Sequence, residues 1–391
     1  MKRCCKDIDL TSAEIIEPFI EKCIKRHSRR RDFRHFMLQK GLGNEYRQFL
    51  NKEENALYEI SYKLSVEIAD MIKHRVIPPL HVWASQRYDE SSRKMRLIGN
   101  ETVLQRLLDY IVTYGCEELW KRKLFRQQCA SIPSRGQIYG MRLLRHYALS
   151  DERAMKYAIA HHIRYSRKCK YFVKLDIRHC YESIDRNLLM EHLKHDIKND
   201  DMLYLWSVLL KSYEEVTNGI LIGALPSQFA SQYLVSNICR RALNNKAVTH
   251  MVTYMDDMVL FSSNRRKLLK AVNDLIKYAN DELHLTIKSN FSIERFDKEP
   301  LDMMGYVVHS NGKVTVRAKA YIHARRLIKR YERNGYTTYT QAKRLISFKG
   351  YFIYSDCQKI QSEFFKAFKY AQNVVSKYER RRNNGLGNIH S

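Results

Sequence analysis

Apolar residues recur along this chain with two different periods. From Thr11 to Leu50 they return at helical spacing, through Ile15, Ile16, Phe19, Ile20 and Ile24, which predicts helix with Ser12 as its cap. Residues 55 to 75 predict another amphipathic helix, and Pro78-Pro79 then separates this region from the remainder of the chain. In the middle of the chain the rhythm changes to short continuous apolar runs. Tyr171 to Leu175 ends on Asp176, while Met251 to Thr253 and Met258 to Phe261 flank Tyr254-Met255-Asp256-Asp257, which predicts a strand and a hairpin. Beyond residue 316 helical spacing returns through Ala318 to Arg333, Gln341 to Phe348 and Gln358 to Arg382, with basic residues on one face and Leu, Ile and Phe on the other. Helical blocks around a few strands predict an α+β chain.

The strand ends carry the chemistry. Two adjacent carboxylates at a hairpin tip repel one another, and divalent cations are the natural means of neutralising them. An isolated Asp-Asp is also compatible with an ordinary solvated turn. If the strand before Asp176 and the hairpin are neighbours in one sheet, Asp176, Asp256 and Asp257 converge on one edge. Three carboxylates can hold two Mg²⁺ ions roughly 3.5–4 Å apart, the arrangement that serves in-line phosphoryl displacement.

Charge points to a polyanionic partner. Lysine and arginine total 69 against 42 acids, a net charge of +27, and the 26 tyrosines offer flat faces for stacking on bases. A passive RNA-binding scaffold would share this balance. Lys25 to Arg31 is the densest basic run, and Arg29, Arg30 and Arg31 are candidate RNA contacts, the alternative being a solvated helix face. The nine cysteines include no Cys-x-x-Cys, and the histidines show no metal-ligand spacing, so a reduced compartment is expected. No apolar leader or 18-residue apolar run occurs, and the expectation is a soluble cytoplasmic protein without membrane contact.

Phe-x-Lys-x-Asp176 together with Tyr254-Met-Asp-Asp257 resembles the palm motifs of reverse transcriptases. Further segments occur in that family's order: Arg93-Lys94-Met-Arg96-Leu-Ile and Ile132-Pro-Ser-Arg135-Gly136 before Asp176, Gly219-Ile-Leu-Ile222-Gly223-Ala-Leu-Pro-Ser227-Gln228 between the acids, and Leu283 to Ser289 and Leu301 to Tyr306 after them. The resemblance implies a right-hand polymerase fold with fingers, an antiparallel palm sheet backed by helices, and a helical thumb. It places a basic helical region over 1–78, fingers and palm over 79–315, the thumb over 316–382 and a frayed tail over 383–391. It implies that Asp176, Asp256, Asp257 and the Ile177 carbonyl bind two Mg²⁺ ions, with Mn²⁺ able to substitute. Lys94, Arg96 and the turn of Arg178, His179, Cys180 and Tyr181 would contact the dNTP, Tyr181 excluding a ribose 2′-hydroxyl and Ile222 flanking the nucleotide. Cys180 reads from the sequence alone as a small packing residue. Lys288 would protonate departing pyrophosphate, or is a solvated lysine. Met303, Met304, Gly305 and Tyr306 would form the primer grip.

The segment Ile222-Gly223-Ala-Leu-Pro-Ser227-Gln228 departs from the usual Pro-Gln-Gly and is similar to the form in diversity-generating retroelement enzymes, as is Ser347-Phe-Lys-Gly350-Tyr351. That likeness implies a bacterial or phage-encoded enzyme copying template RNA with errors at adenine through an RNA–cDNA duplex. A basic accessory protein assists such enzymes in retrohoming. No RNase H, integrase or zinc-endonuclease module is expected after the thumb. The alternatives are a reverse transcriptase of an abortive-infection antiviral system, a retron or a group II-like element.

Overall fold

The computed structural model describes residues 3–89 and 94–387. The N-terminal periodicity divides into three helices, α1 (Ala13–His27), α2 (Arg31–Gln39) and α3 (Gly43–Leu50), where a longer helical run was expected. Phase explains the break. Ile16, Ile20 and Ile24 are buried on α1, but the next buried apolar residue is Phe33. Its separation from Ile24 amounts to about two and a half helical turns, so a straight helix would aim it away from the core. Ser12 stands before α1, yet its hydroxyl donates to Glu14 instead of accepting a backbone amide. Ile15, expected in the apolar set, is 43% exposed.

α4 (Ala56–Lys73) packs on α1 through Ile60, Leu64, Ile68 and Ile72. β1 (Val82–Asp89) and β2 (Lys94–Glu101) form an antiparallel hairpin that pairs Val82 with Glu101 and Arg87 with Arg96. α5 (Val103–Gly115) begins where the Thr102 hydroxyl accepts the Gln105 amide, and α6 (Glu117–Lys123) comes after it. Next come α7 (Gln137–Ala160), β3 (Tyr171–Asp176), α8 (Arg186–Asp196), α9 (Asp200–Ser212) and α10 (Leu225–Asn244). The Asp185 carboxylate starts α8 by accepting the amides of Asn187 and Leu188. β4 (His250–Tyr254), β5 (Asp257–Ser262), α11 (Arg265–Leu283), β6 (Ile293–Arg295), β7 (Leu301–Met303), β8 (Tyr306–Val308) and β9 (Val314–Val316) precede the C-terminal helices. These are α12 (Ala318–Asn334), α13 (Tyr339–Ile353) and α14 (Gln358–Gly387).

The chain divides into two compact units. One is built from 1–131, 175–242 and 272–289, the other from 132–174, 243–271 and 290–391. In the first, α1 packs on α4 and α5, and α9 packs on α5 and α8. The second holds a four-stranded sheet of order β4-β5-β3-β6 and a three-stranded sheet of order β7-β8-β9. Phe172, Phe261 and Phe296 fill the larger sheet's core with ring centroids 5.4–6.2 Å apart. Its C-terminal helices enclose Ala324, Ile328, Leu345, Phe352, Phe364 and Phe368. α14 runs to Gly387, and residues 388–391 of the tail expected over 383–391 lie outside the described residues. Among the described residues no helix is long and apolar enough to cross a membrane.

Candidate active site

β3 delivers Asp176 by strand alternation. Phe172, Val173 and Leu175 are buried, and the carboxylate emerges at the strand's end, 36% exposed. The segment after α11 runs beside it, bridging Ile177 to Ile287. The Lys288 amide donates to the Asp176 carbonyl and the Arg178 amide to the Thr286 carbonyl, both within 2.9 Å. These two bonds flank Ile177, so its own carbonyl is directed away from the bridge. The Lys288 ammonium donates to Asp176 Oδ2 at 2.7 Å, while Asp176 Oδ1 is buried with no hydrogen-bond partner. An unpaired buried carboxylate oxygen is costly. A divalent cation would satisfy it, so the oxygen donor set here fits a hard metal ion.

The second pair of acids lies on the β4–β5 hairpin. Tyr254 pairs with Asp257, leaving Met255 and Asp256 as a two-residue turn, with Met255 in the left-handed region at φ 55°. Such tight turns demand positive φ, and a methionine holds it only under strain, which tends to collect at functional sites. Asp256 is half-buried and Asp257 exposed. The neighbours of the pair are apolar: Met251, Val252, Met258 and Val259 are fully buried. β3 adjoins β5 in the sheet, but the chain crosses between units after Lys174, so Asp176 belongs to the first unit and Asp256 and Asp257 to the second. Among the described residues no three His, Cys, Asp or Glu side chains are gathered into a metal-holding group.

The turn after Asp176 is buttressed by a residue to which the sequence alone assigned no role. The Ile220 amide donates to the Tyr181 carbonyl at 2.9 Å. A Cβ on Gly219 would stand 2.2 Å from that carbonyl oxygen, so only glycine permits the approach. Its signal in sequence was the glycine itself, at the head of the Gly-Ile-Leu-Ile segment. Tyr181 is half-buried and Cys180 buried, whereas Arg178 is exposed. His179, at φ 48°, bonds Glu182 through Nδ1 at 2.8 Å. The Ile222 carbonyl accepts the Gly99 amide, so the glycine loop joins β2, and a Cβ on Gly99 would meet Leu221 at 2.3 Å.

The remaining predicted residues are distributed unevenly. Arg96 is exposed directly across from Arg87, while the side chain of Lys94 lies outside the described residues, as does Arg93. Met303, Met304 and Tyr306 are buried, so a primer contact there falls to the backbone of the turn. Gly305, at φ 85°, fits beneath Tyr351, whose ring would lie 2.4 Å from a Cβ. Arg29 and Arg30 occupy the α1–α2 corner and Arg31 opens α2, and the Arg30 guanidinium is held by Asp32 in a bidentate pair. That leaves Arg29 and Arg31 as the exposed, available cations.

A small sheet with an acid-tipped hairpin, backed by helices, defines the palm of a right-hand nucleic-acid polymerase. Residues 88–308, more than half of the 391-residue chain, match the family described as reverse transcriptase (RNA-dependent DNA polymerase), and the chain belongs to that family. Among solved structures it is similar to apo telomerase from Candida tropicalis truncated from its C-terminal domain, at 14% identity over 66% of this chain and 60% of that one, TM-score 0.42. It is also similar to apo telomerase from Candida tropicalis, at 10% identity over 84% of this chain and 72% of that one, TM-score 0.42. The chain thus spans about 60% of the length of the first of these. No curated protein matches it.

Proposed function

We propose that the protein is an RNA-directed DNA polymerase that copies a template RNA into cDNA from dNTPs. The observation that carries this reading is the family match over 88–308, which contains every acid of the candidate site. On this reading Asp176, Asp256, Asp257 and the Ile177 carbonyl are the groups that would hold two divalent ions, and the unpartnered Asp176 oxygen supports the assignment of Asp176. Bound there, Mg²⁺ supplies Lewis-acid activation of the primer hydroxyl and neutralises the leaving pyrophosphate. Arg96 and Lys94 bind the triphosphate, Arg96 standing exposed on β2. The Arg178 amide is taken by the Thr286 carbonyl, so of the turn expected to assist it is the part from His179 to Tyr181 that supplies amides. Lys288, whose ammonium donates to Asp176 Oδ2 at 2.7 Å, would give its proton to the leaving group. In domain terms, residues 79–315 form fingers and palm and 316–382 the thumb. Asp256→Asn is expected to abolish primer extension on RNA while leaving RNA affinity largely intact; extension at the wild-type rate would overturn the metal assignment.

Within the family, we infer the diversity-generating type, with an error-prone copy of adenine and a basic accessory protein as partner. Ile222 supports it. Most reverse transcriptases have a glutamine there, and an apolar side chain cannot make its polar contact with the incoming nucleotide. Such a contact is worth about 0.5–1.5 kcal/mol, and losing about 1.4 kcal/mol of discrimination raises misincorporation about tenfold. cDNA made by the wild type and by Ile222→Gln on one adenine-containing RNA should differ, with fewer errors from the variant. Equal error rates remove Ile222 from the mechanism, and an accurate wild type removes the subtype.

A further inference from the structure

The second unit contains a cavity that the polymerase reading leaves without a role. It has a volume of about 520 Å³ and lies between the C-terminal end of α7, the loop leading into β3, and β6. β3 starts at Tyr171, beside the cavity, and ends at Asp176. A strand of this length spans about 17–20 Å, so the cavity stands apart from the carboxylates.

Its lining mixes apolar side chains with polar ones, among them four cations and the Asp297 carboxylate. Ile159 and Ile163 form one side and are 64% and 55% exposed. Four cations line the remainder, and two of these are already matched. Arg167 is held by Asp151 at 3.1 Å and Glu152 at 2.6 Å, and Arg295 by Asp297 at 2.6 Å. Arg164 and Lys170 pair with no carboxylate among the described residues. The Asp151 carboxylate, itself buried, also accepts the Tyr165 hydroxyl and the Lys168 amide, which fixes the loop carrying both cations. A fixed loop presenting two uncompensated cations beside exposed aliphatic side chains matches a ligand with an anionic end and a flat apolar body. The volume falls in the range of small-ligand sites, about 300–1,000 Å³.

We propose that this cavity binds a nucleotide, with its phosphate on Arg164 and Lys170 and its base against Ile159 and Ile163. This is a second nucleotide site, separate from that of the incoming dNTP and independent of the polymerase reading. The phosphate and base can belong to a residue of single-stranded RNA or to a free nucleotide. Electrostatics favours the strand, since a chain of net charge +27 draws polyanions to its surface.

The test uses the full chain and two photoreactive probes, a uridine oligonucleotide containing 4-thiouridine and free 4-thio-UTP. Crosslinks are mapped by peptide mass, and oligonucleotide affinity is measured against salt. Label in residues 155–170 from the oligonucleotide assigns the site to RNA, and label from 4-thio-UTP alone assigns it to a free nucleotide. Arg164→Gln/Lys170→Gln should abolish that label. If the strand is the ligand, affinity should fall about tenfold at low salt, as for loss of a charge-assisted contact, and the salt slope should fall by about 0.7, the share of one phosphate on a single strand. Primer extension at saturating RNA should stay at the wild-type rate, so a failed polymerase and a failed second site give different results. Absence of label from both probes in 155–170, or label unchanged in the double variant, overturns the proposal. Circular dichroism of the variant, whose substituted side chains lie at the surface, verifies that it is folded.

Discussion

At the residue scale, the turn after Asp176 depends on the identity of one small residue. Gly219 is a spacer whose missing side chain lets Ile220 hold the Tyr181 carbonyl. Gly219→Ala should destabilise the first unit by about 1–3 kcal/mol, the usual cost of overpacking, read from urea unfolding. It should also raise the KM for dNTPs, because Tyr181 moves with its carbonyl. His27 provides a pH test. Burial first, then Arg106, Arg30 and Arg26, push its imidazole down to about 4 from the ordinary 6.5. The unfolded chain therefore binds a proton that the folded one refuses, so stability attributable to His27 is present above pH 6.5 and falls as pH drops towards 4. Asp109 and Glu101 are pushed up by burial and titrate with the opposite sign, so the comparison must be between wild type and variant. His27→Gln keeps a polar partner for the Tyr110 hydroxyl, 3.2 Å away, and should flatten the decline in urea midpoint across that window. An unchanged slope would exclude His27 as its source.

At the element scale, periodicity was a dependable guide to existence and a poor one to ends. β3 and the β4–β5 hairpin were legible because a continuous apolar run closing on an acid has few other readings, and α4 and α12 because their stripes keep one phase. The break between α1 and α2 was hidden, since the residues on either side are all helix-compatible and only the phase of Phe33 reveals the turn. Lys288 was legible by type, but its bond to Asp176 was not, because Leu283 to Ser289 meets the chain at Ile177, just past β3, through one isolated bridge in place of a full strand. The C-terminal helices make their own prediction. Phe352 is completely buried against Phe364 and Phe368. Phe352→Ala should cost about 3–5 kcal/mol, seen as lost hydrogen-exchange protection across α12 to α14. Protection lost equally throughout the chain would mean that these helices do not open on their own.

At the scale of the whole molecule, charge is the readable quantity and topology the unreadable one. RNA affinity should fall about 10³–10⁵-fold between 50 and 200 mM salt if about 6–10 phosphates are contacted. Removing Arg29 alone or Arg31 alone should lower the slope more than removing Arg30, whose charge Asp32 already compensates; equal effects of the three single variants would show that the pair opens on binding. No pattern in the sequence announces that each compact unit is assembled from three separated stretches. The same topology sets a timetable for synthesis. The Cys4 amide donates to the Asp196 carbonyl at 2.7 Å, and the Cys4 carbonyl accepts the Lys198 amide at 3.0 Å. Both partners reach the ribosome's exit long after Cys4. At roughly 5–20 residues per second the delay is about 10–40 s, during which the first strand-like contact of the chain has nothing to pair with. The N-terminal helices must then either hold together by their own apolar stripes or be shielded by a chaperone until the middle of the chain arrives.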